Sequence, residues 1–410
     1  MNATPRGMRR HIAIFGETNS GKSALFNAIL GADAAIVSDV AGTTTDPVVK
    51  LIEMLPYGPV ALIDTGGLGD VTLLGEQRMK RTREILESID FALYTIDAAN
   101  FDESIYERMR AAFEEQRTPH MVVLTKKETQ QLERLAQLTK KYKNTCIVSV
   151  NDELSIDELK QLICESLTKL DADPAAEAMC IAPVGGVAVM VAPIDSAAPA
   201  GRLILPQNQF IRNCLDNGVR VNCTTPEYLA AVLDESARVD IVITDSQAFK
   251  EVAGIVPRDM PLTSFSILGA SQKGDLDEFV RGIQAAGSLQ DGGRVLIAEA
   301  CTHNAAHEDI ARVKIPALLR KLSGKELEFD YAVGRDFPND LAGYSLAVHC
   351  GSCNLTRRET LARMRRVAAA GVPITNFGVL LAYSAGILER AVEPFDKKVN
   401  YPAPRGGASV

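Results

Sequence analysis

The stretch HIAIFGETNSGKS, residues 11–23, decides how the N-terminal part of this chain folds. His11 to Phe15 is an apolar run of strand length, and Gly16 to Ser23 spells G-x-x-x-x-G-K-S. A glycine-rich turn between a strand and a helix lets successive backbone N–H groups wrap a phosphate chain. Lys22 then supplies charge at the β and γ oxygens, and Ser23 offers a hydroxyl to Mg2+. Gly16, Asn19, Ser20, Gly21, Lys22, Ser23 and Ala24 are therefore expected to cradle a nucleotide.

Downstream, strand-like runs at 60–64, 91–97, 121–124 and 146–150 alternate with amphipathic stretches at 73–88, 103–116, 130–141 and 156–170. That alternation predicts an α/β fold, a mostly parallel sheet with helices on both faces, for residues 1–171. The Ala-, Asp- and Pro-rich segment 171–182 reads as a linker. A second, smaller α/β domain is expected over 180–270, with strands near 187–192, 220–223, 240–244 and 263–268 and helices near 209–216, 226–235 and 247–256. It carries no recognisable chemistry and reads as a docking or dimerisation domain. A third, over 271–410, has strands at 294–298 and 346–349 and helices at 309–322, 357–370 and 377–389.

Bulk properties bound the function. A chain of 410 residues exceeds what one core serves, so two to three domains are expected. A net charge of −8 argues against a broad nucleic-acid surface. No apolar run is long enough to span a membrane, and no signal-peptide pattern opens the chain, so the expected location is the cytoplasm. In that compartment eight cysteines read as buried thiols plus a metal site rather than disulfides. Cys146, Cys164, Cys180, Cys214 and Cys223, scattered among apolar neighbours, are assigned to the buried thiols.

Further nucleotide elements follow the phosphate loop. Asp64-Thr65-Gly66-Gly67 is a D-x-x-G pattern in which Asp64 holds Mg2+ through water and the Gly67 amide reaches the γ-phosphate. Gly42-Thr43-Thr44-Thr45-Asp46 resembles switch I of the GTPase group that includes the tRNA-modifying and ribosome-assembly GTPases, a resemblance that makes Thr44 a second Mg2+ ligand. Leu68 stands where Ras-type GTPases carry a water-orienting glutamine, so catalysis is assigned to Lys22, Asn19, Thr44, Asp64 and Gly67. Asn19 sits where potassium-activated members of the group help hold K+. Thr125-Lys126-Lys127-Glu128 stands at the base-reading position, with Glu128 in place of the usual aspartate, and Ser149 is a loose echo of a further guanine-contacting loop. The longer Glu128 carboxylate predicts a looser guanine preference.

Chemistry returns near the C-terminus. The strand 294–298 leads to Cys301-Thr302-His303, and the strand 346–349 leads to His349-Cys350-Gly351-Ser352-Cys353. If the two strands are parallel neighbours, both loops project from one carboxyl edge and three thiols converge. Thr356-Arg357-Arg358-Glu359 reads as a capping box opening a helix. Arg357, Arg358, Arg363, Arg365 and Arg366 read as its solvated face, with partner docking the minority reading. Local spacing alone leaves zinc on the three cysteines plus one histidine open.

With a phosphate-loop domain upstream, C-x-H followed by H-C-x-x-C resembles the FeFe-hydrogenase maturation GTPases over essentially the whole chain. That resemblance implies a 4Fe-4S cluster on Cys301, Cys350 and Cys353, with His303 and His349 as labile ligand or as hydrogen-bond donors behind it. It implies a homodimer that binds GTP, Mg2+ and K+. It further implies a scaffold taking a two-iron subcluster precursor from radical-SAM maturases and delivering it to apo-FeFe-hydrogenase, with no nucleic-acid or membrane partner. The alternative is a ribosome- or tRNA-directed GTPase with a zinc-stabilised C-terminal domain.

Overall fold

The computed structural model describes residues 7, 9–31, 39–40, 48–65, 76–171, 181–194, 201, 203–300, 310–334 and 336–395. The chain divides into two compact units, Met1–Asp173 and Pro174–Val410.

In the first unit β1 (Arg10–Gly16) lies at the centre of a seven-stranded sheet with β2 (Asp39–Val40), β3 (Val48–Met54), β4 (Gly58–Asp64), β5 (Phe91–Asp97), β6 (His120–Thr125) and β7 (Thr145–Ile147), in the order β2-β3-β4-β1-β5-β6-β7. Side chains alternate across the sheet, so β1 feeds two cores. Ile12 and Ile14 pack with Leu25, Phe26 and Ile29 of the helix Lys22–Leu30 and with Ile156, Leu159 and Ile163 of Glu153–Asp171. Ala13 and Phe15 face Tyr106, Met109 and Phe113 of Glu103–Glu115 and Leu135 and Leu138 of Leu132–Lys141. With both faces covered, the central strands are buried end to end, which is why they read as continuous apolar runs. The antiparallel pair β2 and β3 extends one edge.

The second unit holds two four-stranded parallel sheets. One runs β11-β10-β8-β9 from β8 (Val187–Val191), β9 (Arg220–Thr224), β10 (Ile241–Thr244) and β11 (Leu262–Ser264). The other runs β13-β12-β14-β15 from β12 (Gly293–Glu299), β13 (Leu327–Val333), β14 (Tyr344–His349) and β15 (Ile374–Asn376). Val189 and Val242 of the first sheet join Leu296, Ile297 and Val348 of the second in one hydrophobic cluster.

Three local expectations change. The strand expected over 263–268 ends at Ser264, whose side chain accepts from Ile267 N–H and caps the helix Phe265–Lys273. The helix expected over 377–389 stops at Ser384 and restarts at Leu388, because Gly386 takes φ 71° between them. Cys146, Cys164 and Cys214 are buried, but Cys223 is exposed, since β9 is an edge strand. Cys180 lies outside the described residues.

Candidate functional site

The phosphate loop leaves β1 at Gly16, where a side chain has no room: a Cβ would fall 2.2 Å from Thr95 Oγ1. Asn19 (φ 62°) and Gly21 (φ 92°) turn the loop through left-handed conformations into the helix at Lys22. Asparagine tolerates that conformation better than most residues, so the loop geometry suits Asn19. Lys22 Nζ donates to the carbonyls of Gly16 (2.9 Å) and Glu17 (2.7 Å), and Ser23 Oγ donates to Asp64 Oδ2 at 2.8 Å. The two expected Mg2+-side groups, one hydroxyl and one carboxylate, are thus brought together from elements far apart in sequence. Thr18, Asn19, Gly21, Lys22, Ser23, Ala24 and Lys126 line a cleft of about 520 Å³.

Two residues expected at the nucleotide site turn their side chains inward. Thr125 Oγ1 donates to the Ser20 carbonyl (2.6 Å), and Ser20 Oγ shares a 2.6 Å hydrogen bond with Thr95 Oγ1. Both are buried, so Thr125 acts by anchoring the loop and Ser20 offers the site only its backbone. Lys126, at φ 56°, places Nζ 2.8 Å from Asp97 Oδ2, and Gln130 Nε2 donates to the other Asp97 oxygen at 2.8 Å. Burial works against the Asp97 charge, yet the bonds from Lys126 and Gln130 hold its carboxyl below the usual range. Glu128 is held low first by its own backbone N–H and then by Ser149. Asp97 and Gln130 were missed in the sequence, where Asp97 is marked only by its position at the end of β5 and Gln130 by nothing. Thr43, Thr44, Thr45, Gly66, Gly67 and Leu68 lie outside the described residues.

In the second unit β12 and β14 are parallel neighbours with Ala298 opposite His349. The two cysteine loops therefore leave the same sheet edge. Cys350 N–H donates to the Ala298 carbonyl at 2.9 Å, and Cys350 Sγ accepts from Ala300 N–H at 3.0 Å and Ser352 N–H at 3.5 Å. Burial pushes the Cys350 thiol up to about 11, while those two N–H groups pull toward thiolate, the form that binds metal. Cys353, three residues further along the same loop, is half-buried like Cys350. Cys301 and His303 lie outside the described residues, among which no group of three metal-ligating side chains occurs.

His349 is buried behind the loop. Its Nδ1 lies 3.0 Å from the Cys350 carbonyl and its Nε2 3.4 Å from Arg363 Nη1. An arginine only donates, so Nε2 accepts and Nδ1–H donates to Cys350. Both ring nitrogens are thus engaged, and His349 shapes the loop rather than offering a free ligand. Asn376 Nδ2 also donates to the Cys350 carbonyl, at 3.0 Å.

The solvated arginine face does not survive. Arg363 is buried and also donates to the Gly334 carbonyl, Arg357 donates to Gln272 and Gly274, and Arg366 donates to Pro338. Arg365 alone of those five is exposed. The capping box is present as expected: Thr356 accepts from Glu359 N–H, and Glu359 Oε2 accepts from Thr356 N–H at 2.9 Å. Beside the loop a cavity of about 220 Å³ reaches Cys353 and is lined by Gln209, Asn213, Phe265, Lys273 and Phe377. Gln209 Nε2 and Asn213 Oδ1 are buried there without partners among the described residues.

Comparison with known families settles the assignment of the modules. Residues 179–274 match the hydrogen maturase F dimerization domain, residues 277–394 the hydrogen maturase F tetramerization domain, and residues 11–126 the family described as 50S ribosome-binding GTPase. The two maturase domains together account for just over half of the chain. The chain belongs to the hydrogen maturase F family. Its first unit is a P-loop GTPase domain, and the ribosome- or tRNA-directed alternative finds no support in the second.

Among curated relatives, the GTPase Der of Sulfurimonas denitrificans is 36% identical over 118 residues, 28% of this chain and 24% of that protein. The tRNA modification GTPase MnmE of Aquifex aeolicus is 36% identical over 163 residues, 40% of this chain and 35% of that protein. The chain therefore spans about a third or less of the length of these relatives, and the likeness lies in the GTPase domain. The crystal structure of Aquifex aeolicus Era bound to GDP and AlF4− is 19% identical, covering 52% of this chain and 93% of that chain at a TM-score of 0.31, and nothing below rests on it. No helix among the described residues is long and apolar enough to cross a membrane.

Proposed function

We propose that this hydrogen maturase F-family chain hydrolyses GTP at the phosphate loop and holds a 4Fe-4S cluster through Cys301, Cys350 and Cys353. In this reading a homodimer takes a two-iron subcluster precursor from radical-SAM maturases and delivers it to apo-FeFe-hydrogenase, with nucleotide state gating the partners. The observation that carries it is the Ala300 N–H donated to Cys350 Sγ across the β12 and β14 edge, because the next residue after Ala300 is Cys301.

At the first site Lys22 Nζ neutralises phosphate oxygens, and Ser23 and Asp64 orient Mg2+, with Thr44 and Gly67 closing on the γ-phosphate. Mg2+ held by these residues would supply positive charge to the phosphates. K+ beside Asn19 would do electrostatically what an arginine finger does elsewhere. At the second site backbone N–H groups favour the Cys350 thiolate, and His349 and Asn376 fix its carbonyl. A cluster on three thiolates supplies one iron open to an exchangeable ligand. The cavity beside Cys353 supports this reading by offering an incoming fragment a polar and apolar lining.

The test is transfer. Full-length protein isolated anaerobically from cells that also express the maturases should confer hydrogen evolution on added apo-hydrogenase, and Cys353→Ser should abolish it. Activation equal to wild type by Cys353→Ser would overturn the carrier role.

A further inference from the structure

Lys273 ends the helix Phe265–Lys273, within the part of the chain that matches the dimerization domain, yet its ammonium reaches the cysteine loop. It is buried, and Nζ donates to the carbonyls of Ser352 at 2.9 Å, Cys353 at 3.2 Å and Leu355 at 2.8 Å. Those three bonds use all three protons of the ammonium. Arg357 answers from the other side, donating to the Gln272 and Gly274 carbonyls at the end of the same helix. The backbones also meet closely, since a Cβ on Gly269 would fall 2.8 Å from the Gly351 carbonyl. Burying an ammonium is costly unless every proton finds a partner, and a methionine of similar length would fill the space without that cost.

From this geometry we infer that Lys273 is a positioning residue of the cysteine site: it fixes the path of the chain through Cys353 and sets a positive charge beside the thiolates. The inference rests on the cluster reading above. A cationic group next to an iron-sulfur cluster stabilises its more negative, reduced state. Lys273 thereby raises the reduction potential of the cluster, and it does so from the dimerization part of the chain.

The experiment compares full-length wild type, Lys273→Arg, Lys273→Gln and Lys273→Met after anaerobic reconstitution with iron and sulfide. Iron content, the EPR spectrum of the reduced protein and the potential from redox titration are measured, with circular dichroism as the check on folding. Lys273→Gln keeps donors without charge, so it should retain a cluster whose potential is lower than wild type. Lys273→Arg should keep the wild-type potential, and Lys273→Met should lose at least half of the iron. If Lys273→Met does not fold, the glutamine variant still decides. Wild-type potential and EPR spectrum in Lys273→Gln would overturn this inference alone. A wild type that binds no cluster would overturn both this inference and the cluster reading.

Discussion

At the base-reading position one added methylene separates Glu128 from the aspartate expected there. In the folded chain its own backbone N–H and then Ser149 hold its carboxyl below the ordinary value. If Glu128 reads guanine donors, Glu128→Ala should weaken GTP binding by about 1.5 to 3 kcal/mol while leaving the weaker ATP binding unchanged, measured by competition with a fluorescent nucleotide. Equal loss for both would mean the carboxylate does not read the base. Asn19 carries the second residue-level expectation. GTP turnover should rise several-fold when K+ replaces Na+, a difference absent in Asn19→Gly, which keeps the left-handed turn but removes the amide. A variant that still prefers K+ would assign Asn19 to the loop alone. Gly16 leaves less freedom: Gly16→Ala forces a Cβ onto Thr95 and should destabilise the first unit by about 3 kcal/mol in urea titration.

Between elements, buried polar links decide more than the apolar pattern does. Asp90, beside β5, accepts from His11 N–H and from Arg10 of β1, each at 2.8 Å. Burial alone would raise its pKa, but the bonds from His11 and Arg10 hold it below the ordinary value. A carboxyl lowered in the folded state contributes stability that is complete above its unfolded pKa of about 3.9 and is lost as pH falls through the folded value. Asp90→Ala should therefore cost about 3 kcal/mol at pH 7 and show a shallower acid limb than wild type in pH-dependent thermal melts. A parallel acid limb would assign that pH dependence to other carboxylates.

Much of this was legible in the sequence because the signals are local. The phosphate loop fixes its own backbone through Gly16 and Gly21, the Thr356 and Glu359 capping box closes within one turn, and Cys350 and Cys353 announce themselves by spacing. What was not legible depends on contacts far along the chain. Asp97 acquires meaning only when Lys126 and Gln130 arrive, and Lys273 only when the loop after β14 lies across its helix. The arginines of Arg357–Ala369 looked solvated because guanidinium groups usually are. Here their targets are carbonyls that tertiary packing brings to them. β3, which pairs antiparallel on both sides, and the edge strand β13 escaped notice because their mixed polar and apolar sequences lack the continuous apolar runs of buried parallel strands.

At the scale of the whole chain, a GTPase domain precedes two maturase modules, with hydrolysis proposed for the first and metal binding for the last. The two chemistries should separate by mutation: Lys22→Ala should lower GTP turnover at least tenfold and leave metal content unchanged. The central claim is the nature of that metal. Analysis of iron, acid-labile sulfide and zinc in anaerobically reconstituted full-length protein tests it most directly. About four iron and four sulfide per chain are expected, lost in Cys301→Ser, Cys350→Ser and Cys353→Ser and kept in Cys146→Ser. One zinc per chain with no sulfide, or an iron content that survives Cys350→Ser, would contradict it.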